Sequence, residues 1–444
     1  MNNKLLIFAL AATVEAQEPM SLHDAVGLAM QRSKVVEASS ASKDAAAARI
    51  TQARSGLLPK VNYAESWTRS NNPVFVFSSL LSQRQFGTSN FAIAQLNQPG
   101  FLNNFQSLVT ADQSLYDAGK TKRAVRSSEL GKDLSQEDLR RNQTEVMAQV
   151  IRHYYDAQLG AEQVKLTREA MRSAQADLGR AEARRASGVA TDADVLSIRV
   201  HVAAVREEQI RREAEVEIAR AAMNDAMGLP LDAEHTLTTP LTPLSLLPNE
   251  LGGLEKNAMD ARPEARQSRL ASQMAGLQAA EGRSNYLPQV TVHGAFEADR
   301  QRFVYRGGSN WLVSVGLRWN LFNGYADQAR IAEGAATVRR TAAEQARAES
   351  GIRLQVRQAW ASLKAAQQRI ESAQASVAEA QESLRISQNR FAAGLSTVTD
   401  LLRTEIALLE TQTRYAAAVH DQRLAAAMLE FAAGTLNVGS EVLN

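Results

Sequence analysis

Two long amphipathic segments meet at Phe391-Ala-Ala-Gly394-Leu-Ser-Thr397-Val-Thr-Asp400, which has the composition of a tight turn between helices. Gly394 permits the positive φ of a helix end, and Thr397 with Asp400 matches a capping box for the returning helix. The segment before the turn carries small or apolar residues in heptad steps of four and three. These residues are Ile352, Val356, Ala359, Leu363, Ala366, Ile370, Ala373, Val377, Ala380, Leu384, Ser387 and Phe391. We therefore predict a helical hairpin over residues 324–433 whose narrow apolar stripe needs partner helices.

The same hairpin occurs earlier in the chain, at a constant offset of 206 (394 − 188). The matched anchors are Arg184 and Arg390, Gly188 and Gly394, Thr191 and Thr397, Asp194 and Asp400, and Gly228 and Gly434. A second landmark, Leu58-Pro59 against Leu287-Pro288, has an offset of 229 (287 − 58), so the first copy holds 23 extra residues (229 − 206). The chain is predicted to be a tandem duplication with one enlarged loop, residues 71–106.

The N-terminus has the features of a secretory signal, predicted over residues 1–16. Lys4 precedes an apolar run, and small residues lie near the expected cleavage point; a short buried helix is the alternative reading. No other run approaches the ~18 apolar residues that a spanning helix needs. Cysteine is absent, which removes disulfides, thiolate metal sites and the acceptor for an N-terminal lipid. We expect an exported protein without a transmembrane helix or a lipid anchor.

Charge and histidine placement argue against an enzyme. The chain has 50 Lys and Arg against 48 Asp and Glu, which gives no reason to expect a nucleic-acid partner. The six histidines are scattered without metal-ligand spacing, and Gly119-Lys-Thr lacks the earlier glycine of a phosphate-binding loop. The many glutamates on predicted helices are interpreted as solvated faces. We therefore expect no catalytic residue, no metal and no cofactor.

Four segments change to a period of two and are predicted to be strands. They lie at about 61–70, 107–117, 289–298 and 310–320. In the last of them one face is apolar, and its members are Trp311, Val313, Val315, Leu317 and Trp319. This pattern favours a lipid-facing barrel strand, with Trp67, Trp311 and Trp319 at the membrane interfaces; a half-buried strand of a water-soluble protein is the alternative.

Four strands cannot close a membrane barrel by themselves, because the smallest bacterial barrels have about eight. Open strand edges are not tolerated in lipid, so a dimer or trimer is expected to pool its strands. The predicted long helices, 119–187 and 324–393, would each reach about 100 Å. The predicted organisation is a first repeat over 17–233 with its hairpin at 119–227, a linker over 234–249, a second repeat over 250–434 and a tail over 435–444.

Specific junction and turn motifs carry a resemblance to a known family. They are the two Leu-Pro junctions, Ser114-Leu-Tyr-Asp117, Asn320-Leu-Phe-Asn323, Gly188-Val-Ala-Thr191-Asp-Ala-Asp194-Val-Leu196 and Gly394-Leu-Ser-Thr397-Val-Thr-Asp400-Leu-Leu402. With the signal and the duplication, they make nearly the whole mature chain resemble the TolC-type outer-membrane efflux family. The resemblance implies a mainly α fold, in which a homotrimer combines four strands per protomer into one twelve-stranded barrel and its long antiparallel coiled-coil helices into an α-barrel tunnel in the periplasm.

The same resemblance implies the function and the site. The helical tips would close the tunnel at rest and dock a periplasmic adaptor protein, which couples the duct to an inner-membrane pump. The implied adaptor-facing residues are Gly188, Val189, Thr191, Asp194, Gly394, Leu395, Thr397 and Asp400. The implied pore constriction comprises Asp194, Phe391, Asp400 and Arg403.

Arg403 departs from the family pattern, because some members place an acidic ring at this level. Ser396 likewise replaces an arginine found two residues after the tip glycine. Three arginines around a narrow pore would not attract cations, so an acidic cation-binding ring and a latch using that arginine are not expected here. If Arg403 faces the lumen, we expect a trimer whose conductance is anion-preferring or weakly selective.

The leading hypothesis is a passive exit duct in the outer membrane, serving tripartite efflux or type I secretion. The alternative is a periplasmic coiled-coil adaptor or scaffold, which would explain the heptads and the signal. Amphipathic strand pairs followed at once by very long helices argue against that alternative. The transported substrate, whether drug, metal ion, solvent or polypeptide, is not encoded in any motif, since selection lies mainly with the pump.

Overall fold

The computed structural model describes residues 18–245, 250–304 and 307–443, so the predicted signal segment lies outside the described residues. Most of the described chain is helical. The helices are α1 (Leu22–Arg32), α2 (Lys34–Arg54), α3 (Pro73–Ser82), α4 (Ile93–Asn97), α5 (Lys120–Ala186), α6 (Asp192–Met227), α7 (Leu251–Ala261), α8 (Pro263–Ser284), α9 (Ala326–Ala392) and α10 (Val398–Ala433). The strands are β1 (Glu18–Met20), β2 (Lys60–Ser70), β3 (Leu102–Tyr116), β4 (His235–Leu237), β5 (Gln289–Arg300) and β6 (Gly308–Arg318).

The chain forms two compact units, and each takes residues from both repeats. The first, the helical unit, comprises the described residues of 18–41, 137–267 and 346–443. The second, the sheet unit, comprises the described residues of 42–136 and 268–345. The long helices α5 and α9 contribute residues to both units.

The predicted heptad stripe of α9 is the buried side of that helix. All of its predicted positions from Ile352 to Phe391 are buried or half-buried, whereas most residues between them are exposed. Its first member, Ile352, joins a core cluster with Val356, Leu363 and the fully buried Tyr154 and Tyr155 of α5. Pairing of the helices buries this apolar area, and the burial stabilises the fold by roughly 25 cal/mol per Å².

A short parallel pair of strands ties the start of the described chain to the segment between the repeats. β1 pairs with β4, with Met20 opposite Leu237. The buried Tyr154 hydroxyl donates to the Met20 carbonyl at 3.0 Å and accepts from the Thr239 amide at 2.9 Å. The segment 234–249, predicted to be a plain linker, therefore contains a strand and is hydrogen-bonded to α5.

The sheet unit holds one antiparallel sheet in the order β2-β3-β5-β6. Trp67 lies opposite Phe105, Val109 opposite Phe296, and Phe296 opposite Trp311. This register places the large apolar side chains on one face. The other face carries Gln106, Asp112, His293, Glu297 and Ser314. The outer edges of β2 and β6 have no strand partner within the described part of the chain.

Several strand ends differ by two or more residues from their predicted positions, including β5, which ends at Arg300 instead of about 298, and β6, which begins at Gly308 instead of about 310. β3 begins at Leu102 instead of about 107, and β6 ends at Arg318 instead of 320. Trp319 consequently lies just beyond the strand, where its indole N–H donates to the Tyr286 carbonyl at 3.0 Å.

The enlarged loop, whose structure the sequence left open, contains α3 and α4. The end of α3 is fixed to the polar face of the sheet by the buried Gln83, whose side-chain amide donates to Asn104 Oδ1 at 2.8 Å. Asn104 in turn donates to Asp299 Oδ1 at 2.6 Å. The loop helix is thus part of the sheet unit's packing.

Candidate functional site

Both hairpin turns have the cap geometry that the duplicated motif predicts. Gly188 and Gly394 have φ of 77° and 76°, which glycine adopts without strain. The Thr397 hydroxyl accepts from the Asp400 amide at 3.2 Å, and the Asp400 carboxylate accepts from the Thr397 amide at the same distance. Thr191 and Asp194 form the same capping box in the first hairpin. The tips are therefore rigid turns built twice from one motif.

The capping carboxylates are held in their charged form. The backbone hydrogen bond from Thr191 is the main cause that lowers the pKa of Asp194, and the side-chain hydrogen bond from Thr397 is the main cause for Asp400. Both residues also lie in the first turn of their helices, where a negative charge is favoured.

The two tips of a chain contact each other. Arg184 Nη1 donates to the Phe391 carbonyl at 2.8 Å, and its guanidinium lies 5.0 Å from the centre of the Phe391 ring. A small apolar cluster of Ala181, Val195, Ile198 and Val398 joins the two hairpins behind this contact. Phe391, predicted at the pore constriction, is half-buried against Arg184.

A cavity of about 750 Å³ lies beside this contact. Its lining includes Asp177, Arg180, Arg184, Val189, Gln388 and Phe391. Two of the predicted adaptor-facing residues, Val189 and Leu395, leave 66% and 70% of their surface exposed, and Asp400 and Arg403 are exposed as well. Exposed apolar side chains at the ends of charged helices are available for contact with another protein.

The sequence interpretation missed a buried polar cluster below the tips. The glutamates on the helices were predicted to lie on solvated faces, but Glu405 is buried. Asp177 is buried as well, with only 1% of its surface exposed. Glu405 Oε1 accepts from the Ser173 hydroxyl at 3.0 Å, and its Oε2 lies 3.4 Å from His201 Nε2. The sequence held a signal for the burial of Glu405, because Glu405 lies one helical turn after the buried Leu401 and therefore on the same face of α10.

We expect the caps to control local stability at the tips. Thr397→Ala removes the N-cap of α10 and should cost about 1 kcal/mol of local stability, because the first amides of the helix lose their acceptor. Hydrogen exchange of residues 398–402 is the measurement. Thr411→Ala is the matched control, since the Thr411 hydroxyl bonds only to carbonyls of its own helix. Equal exchange in both variants would contradict the capping role.

Within residues 18–245, 250–304 and 307–443, no helix combines the length and the apolar character needed to cross a membrane.

The sequence matches a known family over most of its length. The sequence model described as Outer membrane efflux protein matches residues 25–229 and 254–435. Among curated relatives, CyaE of Bordetella pertussis is 26% identical over 347 residues, which are 77% of this chain and 73% of the relative. The proteases secretion protein PrtF of Dickeya chrysanthemi is 22% identical over 98% of this chain and 92% of its own.

The fold has counterparts among solved structures. The CmeC outer membrane channel of Campylobacter jejuni superposes with a TM-score of 0.79, covering 100% of this chain and 95% of that one at 15% sequence identity. At that identity, the likeness concerns the fold.

Proposed function

Because the chain belongs to the outer membrane efflux protein family, we propose that it is the passive exit duct of a tripartite efflux pump or a type I secretion system. Family membership makes it an outer-membrane exit channel and not an enzyme. Trimer assembly, adaptor docking and the transported cargo are proposed on separate observations.

The sheet supports assembly as a trimer. One face carries Tyr63, Trp67, Trp311 and Val313, which remain exposed within the described part of the chain, and the opposite face is largely polar. A sheet with one apolar face and two free edges is stable in lipid only when the edges pair with those of other copies. Three copies would give twelve strands, each β6 beside the β2 of a neighbour. This sheet is the observation that carries the proposal.

The tips support docking of a periplasmic adaptor. Capping boxes and the Arg184 contact hold both turns in fixed positions, while Val189 and Leu395 remain exposed. A rigid turn loses little conformational entropy on binding, which favours association. We place the adaptor contact at these turns, and the pump beyond it supplies the energy that the duct lacks. The similarity to PrtF, a proteases secretion protein, favours polypeptides among the possible cargoes.

The direct test is single-channel conductance of the purified mature protein in a planar bilayer, with cross-linking to count subunits. We expect small, stable openings from a trimer, because the tips narrow the duct. With Arg403 at the constriction, currents should be anion-preferring or weakly selective, and Arg403→Ala should move them toward cations.

The control for selectivity is Arg414→Ala, which removes an exposed arginine from the same helix, one already paired with Glu410. Strong cation preference that is unchanged in Arg403→Ala would exclude Arg403 from the constriction. A protein that fails to insert, and is a monomer or dimer in detergent-free buffer, would instead support a soluble periplasmic scaffold.

A further inference from the structure

Two buried carboxyl groups face each other between the two hairpins. Asp177 lies on α5 of the first hairpin, and Glu405 lies on α10 of the second. Glu405 accepts from Ser173, which is one helical turn before Asp177 and therefore on the same face of α5. The two carboxyl groups are close enough for each to shift the pKa of the other. Both side chains are at least nine-tenths buried.

Each of these carboxyl groups keeps one oxygen without a hydrogen-bond donor among the described residues: Oδ2 of Asp177 and Oε2 of Glu405. A buried polar atom in this state costs free energy unless something satisfies it. A single proton shared by the pair would give one carboxyl a donor and the other an acceptor role. Two adjacent buried carboxylates that both carry charge would repel each other instead.

We propose that Asp177 and Glu405 share one proton and that this proton links the two hairpins of a chain just below the tips. The pair is a proton-binding site in a helical unit that otherwise holds its tips together through the Arg184 contact and a small apolar cluster. Loss of the proton places two like charges across the interface between the hairpins.

Two basic side chains border the pair, one beside each carboxyl group. Arg180, on the helix of Asp177, forms an ion pair with Asp177 but is itself mostly exposed. His201 approaches Glu405 from α6, and Glu169 lines the adjoining cavity of about 140 Å³. From α9, the residues lining the two cavities beside the pair include Leu384 and Gln388, which do not titrate.

Electrostatics assign the proton to Asp177. The pKa of Asp177 is raised to about 6, mainly by burial and then by its hydrogen bond with Glu405, while Arg180 opposes the rise. Burial also acts to raise the pKa of Glu405, but the neighbouring side chains of His201, Asp177 and Ser173 outweigh it and lower that pKa. The pKa of Asp177 is raised while the two hairpins are in contact. The stabilisation from the shared proton is therefore fully present below the ordinary Asp pKa of 3.8 and is lost as pH rises through about 6.

The duplication shows that this pair is a local feature of one interface. At the offset of 206, Asp177 corresponds to Ser383 (177 + 206) and Glu405 to Arg199 (405 − 206). Arg199 forms a surface ion pair with Glu182 instead. The carboxyl pair is therefore absent from the equivalent positions of the other repeat, so the hairpin fold does not itself require it.

The test is hydrogen exchange of the full-length protein in detergent, read at residues 173–181 and 401–409. After correction for the intrinsic pH dependence of exchange, protection should fall about tenfold between pH 5 and pH 8. Asp177→Asn keeps a donor to Glu405 and cannot ionise, so its protection should be independent of pH. Glu382→Gln removes an exposed carboxylate of α9 and should retain the wild-type pH profile.

The proposal would be overturned if protection in the wild type did not depend on pH. It would also be overturned if protection in Asp177→Asn depended on pH as strongly as in the wild type. A slope that survives in Asp177→Asn but disappears in His201→Gln would assign the titration to the histidine and overturn it as well. Should Asp177→Asn fail to assemble, Glu405→Gln is the second variant: Asp177 then no longer faces a like charge, so the fall in protection between pH 5 and pH 8 should become smaller. Any effect of this proton on opening of the duct would rest on the proposed function, whereas the exchange measurement does not. A trimer that conducts but whose exchange protection does not depend on pH would refute only the proton link between Asp177 and Glu405.

Discussion

Tyr154→Ala is expected to lower the free energy of unfolding of the helical unit by about 3–5 kcal/mol. The side chain is fully buried, stacks edge-on against Tyr155, and bonds to both Met20 and Thr239. Its removal leaves a cavity and a buried Thr239 amide without an acceptor. The midpoint of guanidinium unfolding, followed by circular dichroism, measures the loss.

Tyr154→Phe separates the two contributions. It keeps the ring and removes only the hydroxyl, so we expect a loss of about 1–2 kcal/mol. Comparable losses in the two variants would mean that the hydroxyl bridge to the strand segments, and not core packing, dominates at this position. No loss in either would contradict the role of the β1–β4 anchor.

Val313→Arg is expected to block insertion of the sheet into the outer membrane. Val313 lies at the centre of β6 on the apolar face, 62% exposed in the chain. An arginine facing lipid near the bilayer midplane costs about 2–4 kcal/mol, and a trimer would bear that cost three times. Fractionation after a salt and carbonate wash, together with the yield of cross-linked trimer, measures the effect.

Ser314→Arg is the matched control, one residue along on the same strand. Ser314 lies opposite His293, which is 2.7 Å from Asp112, so the new arginine would face polar and acidic groups. We expect this variant to insert with near-normal yield. If both variants insert equally, the apolar face does not contact lipid, and the proposed barrel fails with it.

Periodicity predicted the elements that repeat over many residues. The heptad stripe from Ile352 to Phe391 indicated the buried side of α9, and the capping boxes at Thr191 and Thr397 were confirmed. These signals are strong because they are local: a turn motif spans a few residues, and a stripe repeats its own pattern.

Shorter elements escaped prediction for identifiable reasons. β1 and β4 each have three residues, which is too few for a period of two to be visible. By contrast, α7 had a usable signal: it begins at Leu251, which is Leu22 plus the 229-residue offset already found at the Leu-Pro junctions. Continuing that alignment toward the N-terminus would have predicted it.

The buried carboxyl pair lay beyond sequence reasoning. Asp177 and Glu405 are separated by 228 residues (405 − 177), and their contact depends on how two hairpins pack side by side. The helical position of Glu405, one turn after Leu401, gave a signal for its burial but none for its partner on the other hairpin. The tip residues are different, because their cap geometry follows from the motif, while their role toward an adaptor stays a prediction.

The equal lengths of the paired helices also limit how such a chain can evolve. α5 and α9 both have 67 residues, and α6 and α10 both have 36. One inserted codon within any of them would rotate everything beyond it by about 100°, turning the apolar stripe away from its partners. Insertions and deletions should therefore accumulate at the turns that join β2 to β3 and β5 to β6, where the first repeat already holds two extra helices, α3 and α4.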